Sequence, residues 1–482
     1  MSFLIFLLII LFSFSEINSE QKLIFVMTHF RHGARAPQNY YDQTNYLDYV
    51  KEHWDIPGEL TGVGQRMHYL LGIRNRIKYI DEQHFLSKKF NPHEILIYSS
   101  PFNRTIVSVS SQLQGLYPQY AKQGENITED QLEFSKPQVN IDYDKIKDEI
   151  ENLNLSALPN NMILAPIRML NNNERKITLY DIEPCTIVRD NIKKKNSEKI
   201  PSLVNITRVF KERYEENLKK LYGKEENIDL WFIDNFCDAF ISAYTHKREM
   251  KELKDIGFET EELIDFCFEF QKLNFRDWIN GDDDKNDLAH LEVSKLMKEF
   301  IHYMKERINA DINGEKDLEK KYEDYSRPKM IMVSGHDSTI SCNEIFLMNV
   351  FGEDIIENYV YPKFASQIAF EITTINDDKN GKNYNDYFIN YYFNDKLIFN
   401  KTVQEFIDKV NPHIWSDKKI NDFCGFVNDD DNNDSEKIIL ILFIVLTGVF
   451  GILSTVLIFI LIRNKKNQSS TYSHSLIPSN SQ

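Results

Sequence analysis

The chain has little positive charge. Its 57 Lys and Arg stand against 73 Asp and Glu, a formal net charge of −16 over 482 residues. That balance disfavours nucleic acid and anionic membrane surfaces, so no nucleic-acid partner is expected. None of the five cysteines stands at CxxC spacing, so no zinc site is indicated. The glycines lack phosphate-loop and dinucleotide spacing: the GVG at Gly62–Gly64 fits neither pattern. No internal repeat is visible. What is there is 42% hydrophobic and 27% charged, a globular chain with enough residues for one large domain or two ordinary ones.

Each end carries an apolar run. Residues 1–19 read as a signal peptide, although the usual positive n-region is missing. Residues 438–462 carry no charge, are long enough to span a bilayer, and precede the basic RNKK of Arg463–Lys466. The expectation is one C-terminal transmembrane helix, with residues 20–427 lumenal or extracellular, an acidic linker at 428–437 and a cytoplasmic tail at 463–482. Six sequons, at Asn103, Asn126, Asn154, Asn205, Asn400 and Asn433, agree with a secreted domain. In an oxidising compartment Cys185, Cys237, Cys267, Cys342 and Cys424 suggest two disulfides and one free thiol, with the pairing left open by spacing alone.

Strand-like runs at Lys22–Thr28 and Glu94–Ser100 alternate with helical patterns, and the alternation returns at Pro328–Gly335. This predicts an α/β fold with a mostly parallel, doubly wound sheet. Residues 124–325 are polar and helix-rich. They read as a helical cap inserted into a core formed by about residues 20–123 and 326–427.

Three predicted strands end in chemistry. In RHGARAP, Arg31 and Arg35 offer planar donor forks for phosphate oxygens, His32 lies between them, and Gly33 permits close backbone approach. In SSPFNRT, Arg104 opens a helix whose terminal amides favour an anion. In VSGHDST, His336 and Asp337 again lie between strand and helix. Each stretch alone has an ordinary reading: a basic surface loop, a helix-start arginine, a capping aspartate. Together they fall on one edge of a parallel sheet, where open α/β sheets bind ligands.

These residues resemble the histidine acid phosphatases, membrane-anchored lysosomal and prostatic type. RHGARAP is similar to the family's RHGxRxP, SSPFNRTIVS to its region around a third phosphate-binding arginine, and SGHDST to its HD motif. LTGVGQRMHYLLG and YPKFASQIAFE resemble its intervening helix and its late PxAS strand. The resemblance implies a phosphoglycerate mutase-like sheet and hydrolysis of phosphomonoester substrates at acidic pH. It casts His32 as the nucleophile that becomes a phosphohistidine and Asp337 as the acid for the leaving alcohol. Arg31, Arg35, Arg104 and His336 would bind the phosphoryl group, with neither metal nor other cofactor required. It also implies disulfides Cys185–Cys424 and Cys237–Cys267, with Cys342 unpaired. A lysosome or other acidic vesicle is the expected location, with the cell surface as alternative; the oligomeric state, a homodimer among the options, is left open by the sequence. Pro101 and Asn103 depart from the acidic residues often found there in the family, which bears on substrate preference. Two other readings compete: an inositol-phosphate phosphatase of the same superfamily, and an inactive receptor-like ectodomain, which the presence of both His32 and Asp337 disfavours.

Overall fold

A strand apolar on both faces must be covered on both faces, and KLIFVMTHFR (β1, Lys22–Arg31) is such a strand. The computed structural model describes residues 21–38, 54, 56–118, 126–139, 141–169, 185, 191, 194, 199–222, 227–247, 254–255, 257–280, 287–314, 328–375, 382–425, 453–454 and 456–463. The predicted leader, the acidic linker, all but the first residue of the tail and most of the predicted transmembrane segment lie outside these residues. Among the described residues, no helix is long and apolar enough to cross a membrane.

After β1 come α1 (Gly62–Arg76), which runs into a π-helical turn at Ile77–Glu82, then β2 (Ile95–Ser99) and α2 (Asn103–Leu116). A short α3 (Lys147–Leu153) and a two-residue edge strand β3 (Arg168–Met169) lead into the helical insertion. The insertion contains α4 (Pro201–Tyr222), α5 (Leu230–Thr245), α6 (Thr260–Asn280) and α7 (Asp287–Ile312). The chain then returns through β4 (Met330–Gly335), α8 (Asp337–Phe351), α9 (Ile355–Asn358), β5 (Gln367–Thr374), β6 (Tyr387–Phe393), β7 (Lys396–Thr402) and α10 (Val403–Val410). A separate compact unit begins at Asp417 and contains α11 (Asp417–Cys424).

The seven strands form one sheet in the order β3-β2-β4-β1-β5-β6-β7. Alternate residues serve opposite faces, as a period of two requires. Phe25, Met27, Ile331 and Val333 pack under α7, α8 and α10. Val26, Phe30, Met330 and Met332 face α1, α2 and the π-helical turn. Helices therefore cover both faces, but the sheet is not mostly parallel as expected. β3, β2, β4 and β1 run parallel, whereas β5, β6 and β7 are antiparallel. The reason is connectivity. A parallel pair needs a crossover, while β6 turns into β7 through Asn394 and Asp395 alone. Both residues have positive φ (45° and 68°), as a two-residue hairpin turn demands.

The insertion has its own aromatic core, built from Phe210, Phe236, Phe240, Phe258 and Phe270 on and around α4, α5 and α6. Cys237 on α5 and Cys267 on α6 are joined by a disulfide that closes a loop of 30 residues. Closing a loop of that size contributes about 3–4 kcal/mol by restricting the unfolded chain. Cys342 is buried and lies outside the disulfides, whereas Cys185 and Cys424 are disulfide-bonded. The last helix of the predicted cap behaves differently: α7 buries Leu288, Val293, Phe300 and Met304 in the core of the sheet.

Candidate active site

The site grows from the carboxyl ends of β1, β2 and β4. Register places Arg31 opposite Gly335 and Ser99 opposite Ser334, so the three strands end level with one another. The chain leaving each strand is tied to its neighbours. The His32 amide donates to Gly335 O (3.0 Å) and the Ser100 amide to Ser334 O (3.1 Å). The helices that follow, α2 and α8, begin at Asn103 and Asp337, so both present positive N-terminal dipole ends here.

His32 is buried, and its Nδ1 lies 2.9 Å from the carbonyl of Gly33. A carbonyl can only accept, so Nδ1 carries the proton and Nε2 keeps its lone pair. Burial lowers the His32 pKa well below its ordinary value, and Arg31, Arg35 and Arg104 lower it further. The same causes bring His336 down to about 3, with burial first and Arg104 next. The two rings meet edge to face with centroids 5.6 Å apart, and Ser100 Oγ lies 3.0 Å from His336 Nε2.

The three arginines differ in their company. Arg31 pairs with Asp337 at 2.7 Å and donates to Tyr361 OH (2.9 Å) and Pro362 O (2.8 Å). Arg35 makes a two-pronged pair with Asp238 of α5, at 2.8 and 3.1 Å. Among the described residues Arg104 forms no ion pair; its guanidinium lies over the Phe102 ring at 4.4 Å. Burial and the neighbouring Arg35 lower its pKa to about 10. Burial alone would raise the Asp337 carboxyl, but Arg31, His336 and Arg35 outweigh it and hold the group below its ordinary value.

All six residues singled out in the sequence therefore meet at one end of the sheet. The structure adds others. Tyr361 OH donates to Asp337 Oδ2 (3.0 Å), and the Phe364 ring lies under Arg31 at 4.4 Å. The Tyr361–Ser366 segment also holds the backbone around His32: the Ala365 amide donates to His32 O (3.1 Å), and Ser366 O accepts from the Arg31 amide (2.9 Å). Ala365 adopts φ +59°, a left-handed conformation that costs a non-glycine residue roughly 1 kcal/mol or more. Behind the loop, His68 Nε2 lies 3.1 Å from Arg31 O. Gly33 and Gly64 cross so closely that a Cβ on Gly33 would come within 2.4 Å of Gly64 O. His29, three residues before His32, is wholly buried with its ring packed against Gly335, and its pKa is brought down by burial to about 3. Among the described residues no group of His, Cys, Asp and Glu is arranged to hold a metal.

Comparison with known proteins fixes the family. Residues 22–394 match the histidine phosphatase superfamily (branch 2). The chain belongs to this superfamily. It is 23% identical over 346 residues to lysosomal acid phosphatase of Xenopus laevis, covering 71% of this chain and 65% of that protein. Putative acid phosphatase 11 of Caenorhabditis elegans is 39% identical over 109 residues, 22% of this chain and 25% of that protein. Human testicular acid phosphatase is 36% identical over 103 residues, 21% and 24% respectively. The matched regions thus span just under two thirds of the frog protein and about a quarter of the other two. Among solved structures, Hafnia alvei phytase with tartrate aligns at a TM-score of 0.45 and 14% identity, over 81% of this chain and 87% of that one. Within this chain, three site neighbours escaped the sequence reading: Asp238, Tyr361 and His68. The one signal for Asp238 was a carboxylate inside the apolar run NFCDAF.

Proposed function

We propose that this protein is an acid phosphatase that hydrolyses phosphomonoesters through a phosphohistidine on His32. The observation that carries the reading is a histidine kept neutral, with Nε2 free, among Arg31, Arg35 and Arg104 and beside an Arg31–Asp337 pair. A substrate phosphoryl group takes the place of the Asp337 carboxylate on Arg31. His32 Nε2 attacks phosphorus, the ester P–O bond breaks, and Asp337 gives its proton to the departing alkoxide. Water then attacks the phosphohistidine, Asp337 takes back a proton, and the P–N bond breaks to release inorganic phosphate. Arg31, Arg35, Arg104 and His336 carry the charge of the transition state, so the scheme needs no metal.

Acid conditions suit both ends of this reaction. A histidine held far below its ordinary pKa stays nucleophilic where a free imidazole would be protonated. Asp337 begins ionised on Arg31. Binding a phosphate dianion cancels the arginine field that holds its pKa down, so Asp337 takes up a proton along with the substrate. Assaying the full chain on p-nitrophenyl phosphate from pH 3 to 8 tests the reading. Activity confined to the acid side and lost in His32→Ala and Asp337→Ala is expected; equal rates in wild type and His32→Ala overturn it.

A lumenal catalytic domain anchored by residues 438–462, in an acidic vesicle, is supported by that run's apolar length and its basic flank. Protease protection of the tail and release of the domain by cleavage in 428–437 check it. Cys185–Cys424 as the second bridge and a homodimeric assembly belong to the same proposal. Non-reducing peptide mapping and sedimentation read them directly.

A further inference from the structure

We propose that Asp238 is a specificity-determining and positioning residue of the pocket: it holds Arg35 and turns away substrates that carry phosphate groups beyond the one being transferred. The inference rests on the phosphatase reading above.

Asp238 comes from the helical insertion rather than from a strand end, yet both its oxygens engage Arg35. Oδ2 also accepts from the Gln38 amide at 3.0 Å, so the carboxylate grips the loop just past the RHGARAP stretch as well. A two-pronged pair fixes the plane of a guanidinium, which a single contact does not. The helix that presents Asp238 is itself fixed, because Cys237, the preceding residue, is bridged to Cys267 on α6. The exposures then separate the two partners. The Arg35 side chain is 6% exposed and that of Asp238 is 23% exposed. The positive charge lies at the floor and the negative charge reaches the rim.

Charge completes the argument. Three guanidiniums against Asp238 and Asp337 leave one formal positive charge for a substrate to meet. A monoester dianion plus the proton taken up by Asp337 neutralises the pocket. A substrate with further phosphates brings charge that nothing described here balances, and its extra groups approach the rim where Asp238 stands.

The test compares two substrates on the same preparations: p-nitrophenyl phosphate and inositol hexakisphosphate, each as kcat/KM. In Asp238→Asn the loosened Arg35 is expected to lower p-nitrophenyl phosphate turnover several-fold. The ratio of hexakisphosphate to p-nitrophenyl phosphate efficiency is expected to rise about tenfold. Asp238→Glu keeps the charge and should hold the wild-type ratio. The folded fraction cancels in a ratio, so instability alone cannot imitate the result. An unchanged or lower ratio in Asp238→Asn overturns the inference and leaves the phosphatase reading intact. A wild-type chain inactive on both substrates overturns both.

Discussion

The sheet and the helical insertion contribute to the pocket on different terms. Among the described residues, His32, Asp337 and the three arginines lie at or just past strand ends of the sheet. The insertion adds Asp238, and a second link where His246 Nε2 lies 2.6 Å from Thr61 Oγ1 at the start of α1. The first set is fixed by strand register and backbone hydrogen bonds, the second by side chains reaching across from another core. On the proposed reading, the sheet carries the chemistry, whereas the insertion sets what reaches it.

The largest expected effect tests the sheet side. His32→Ala should lower kcat by about 10³-fold or more, since it removes the group proposed to attack phosphorus. Rapid-quench trapping of acid-labile, base-stable phosphoenzyme should lose its signal in that variant. Next, Asp337→Asn should cost about 10²–10⁴-fold in kcat on an alkyl phosphate but less on p-nitrophenyl phosphate, whose leaving group needs little protonation. Equal losses on both substrates would remove Asp337 from the acid role and leave it only as the partner of Arg31.

A change in the insertion should look different. Phe210→Ala removes a wholly buried ring from the α4–α6 core and should destabilise that core by about 3–5 kcal/mol. Below its lowered melting temperature, however, the pH profile on p-nitrophenyl phosphate should keep its shape. A shifted profile would show that the insertion tunes the chemistry itself and would erase the distinction.

The smallest effect lies in the sheet core. Glu344, seven residues past Asp337 on α8, is wholly buried, and burial holds its carboxyl well above its ordinary value. The folded chain keeps that proton where the unfolded chain has lost it. The stability it lends is therefore present at acid pH and lost as pH rises above the ordinary glutamate range. Glu344→Gln should raise the melting temperature relative to wild type at pH 7, with the gain shrinking towards pH 4. A gain independent of pH would mean that Glu344 ionises normally. His29 and His336 act in the opposite sense. Their pKa values of about 3 mean that the unfolded chain binds protons the folded chain does not, so stability falls as pH drops below about 6.5.

Much of this was legible in the sequence because it is local. RHGARAP, SSPFNRT and SGHDST each carry their strand, their turn and their functional side chain within a few residues. A parallel sheet then brings strand ends together without further information. The parallel course of β1, β2 and β4 was legible, but the reversal at β5 was not, because runs buried on both faces read alike whether parallel or antiparallel. Asp238, Tyr361 and His68 were missed for one reason. Their partners are distant in sequence, and each alone is a common polar residue in an ordinary helix or loop. The reach of α7 into the sheet core was hidden in the same way, since an amphipathic pattern does not say which core it faces.

The hydrogen bond from His32 Nδ1 to the carbonyl of the very next residue has a consequence for how such a protein can diversify. The tautomer of the reactive ring is chosen within a dipeptide and needs no help from the insertion. Helices that frame the entrance can be lengthened, exchanged or recharged over generations while the reacting nitrogen keeps its lone pair. A lineage built this way can try new diets without relearning how to break the bond.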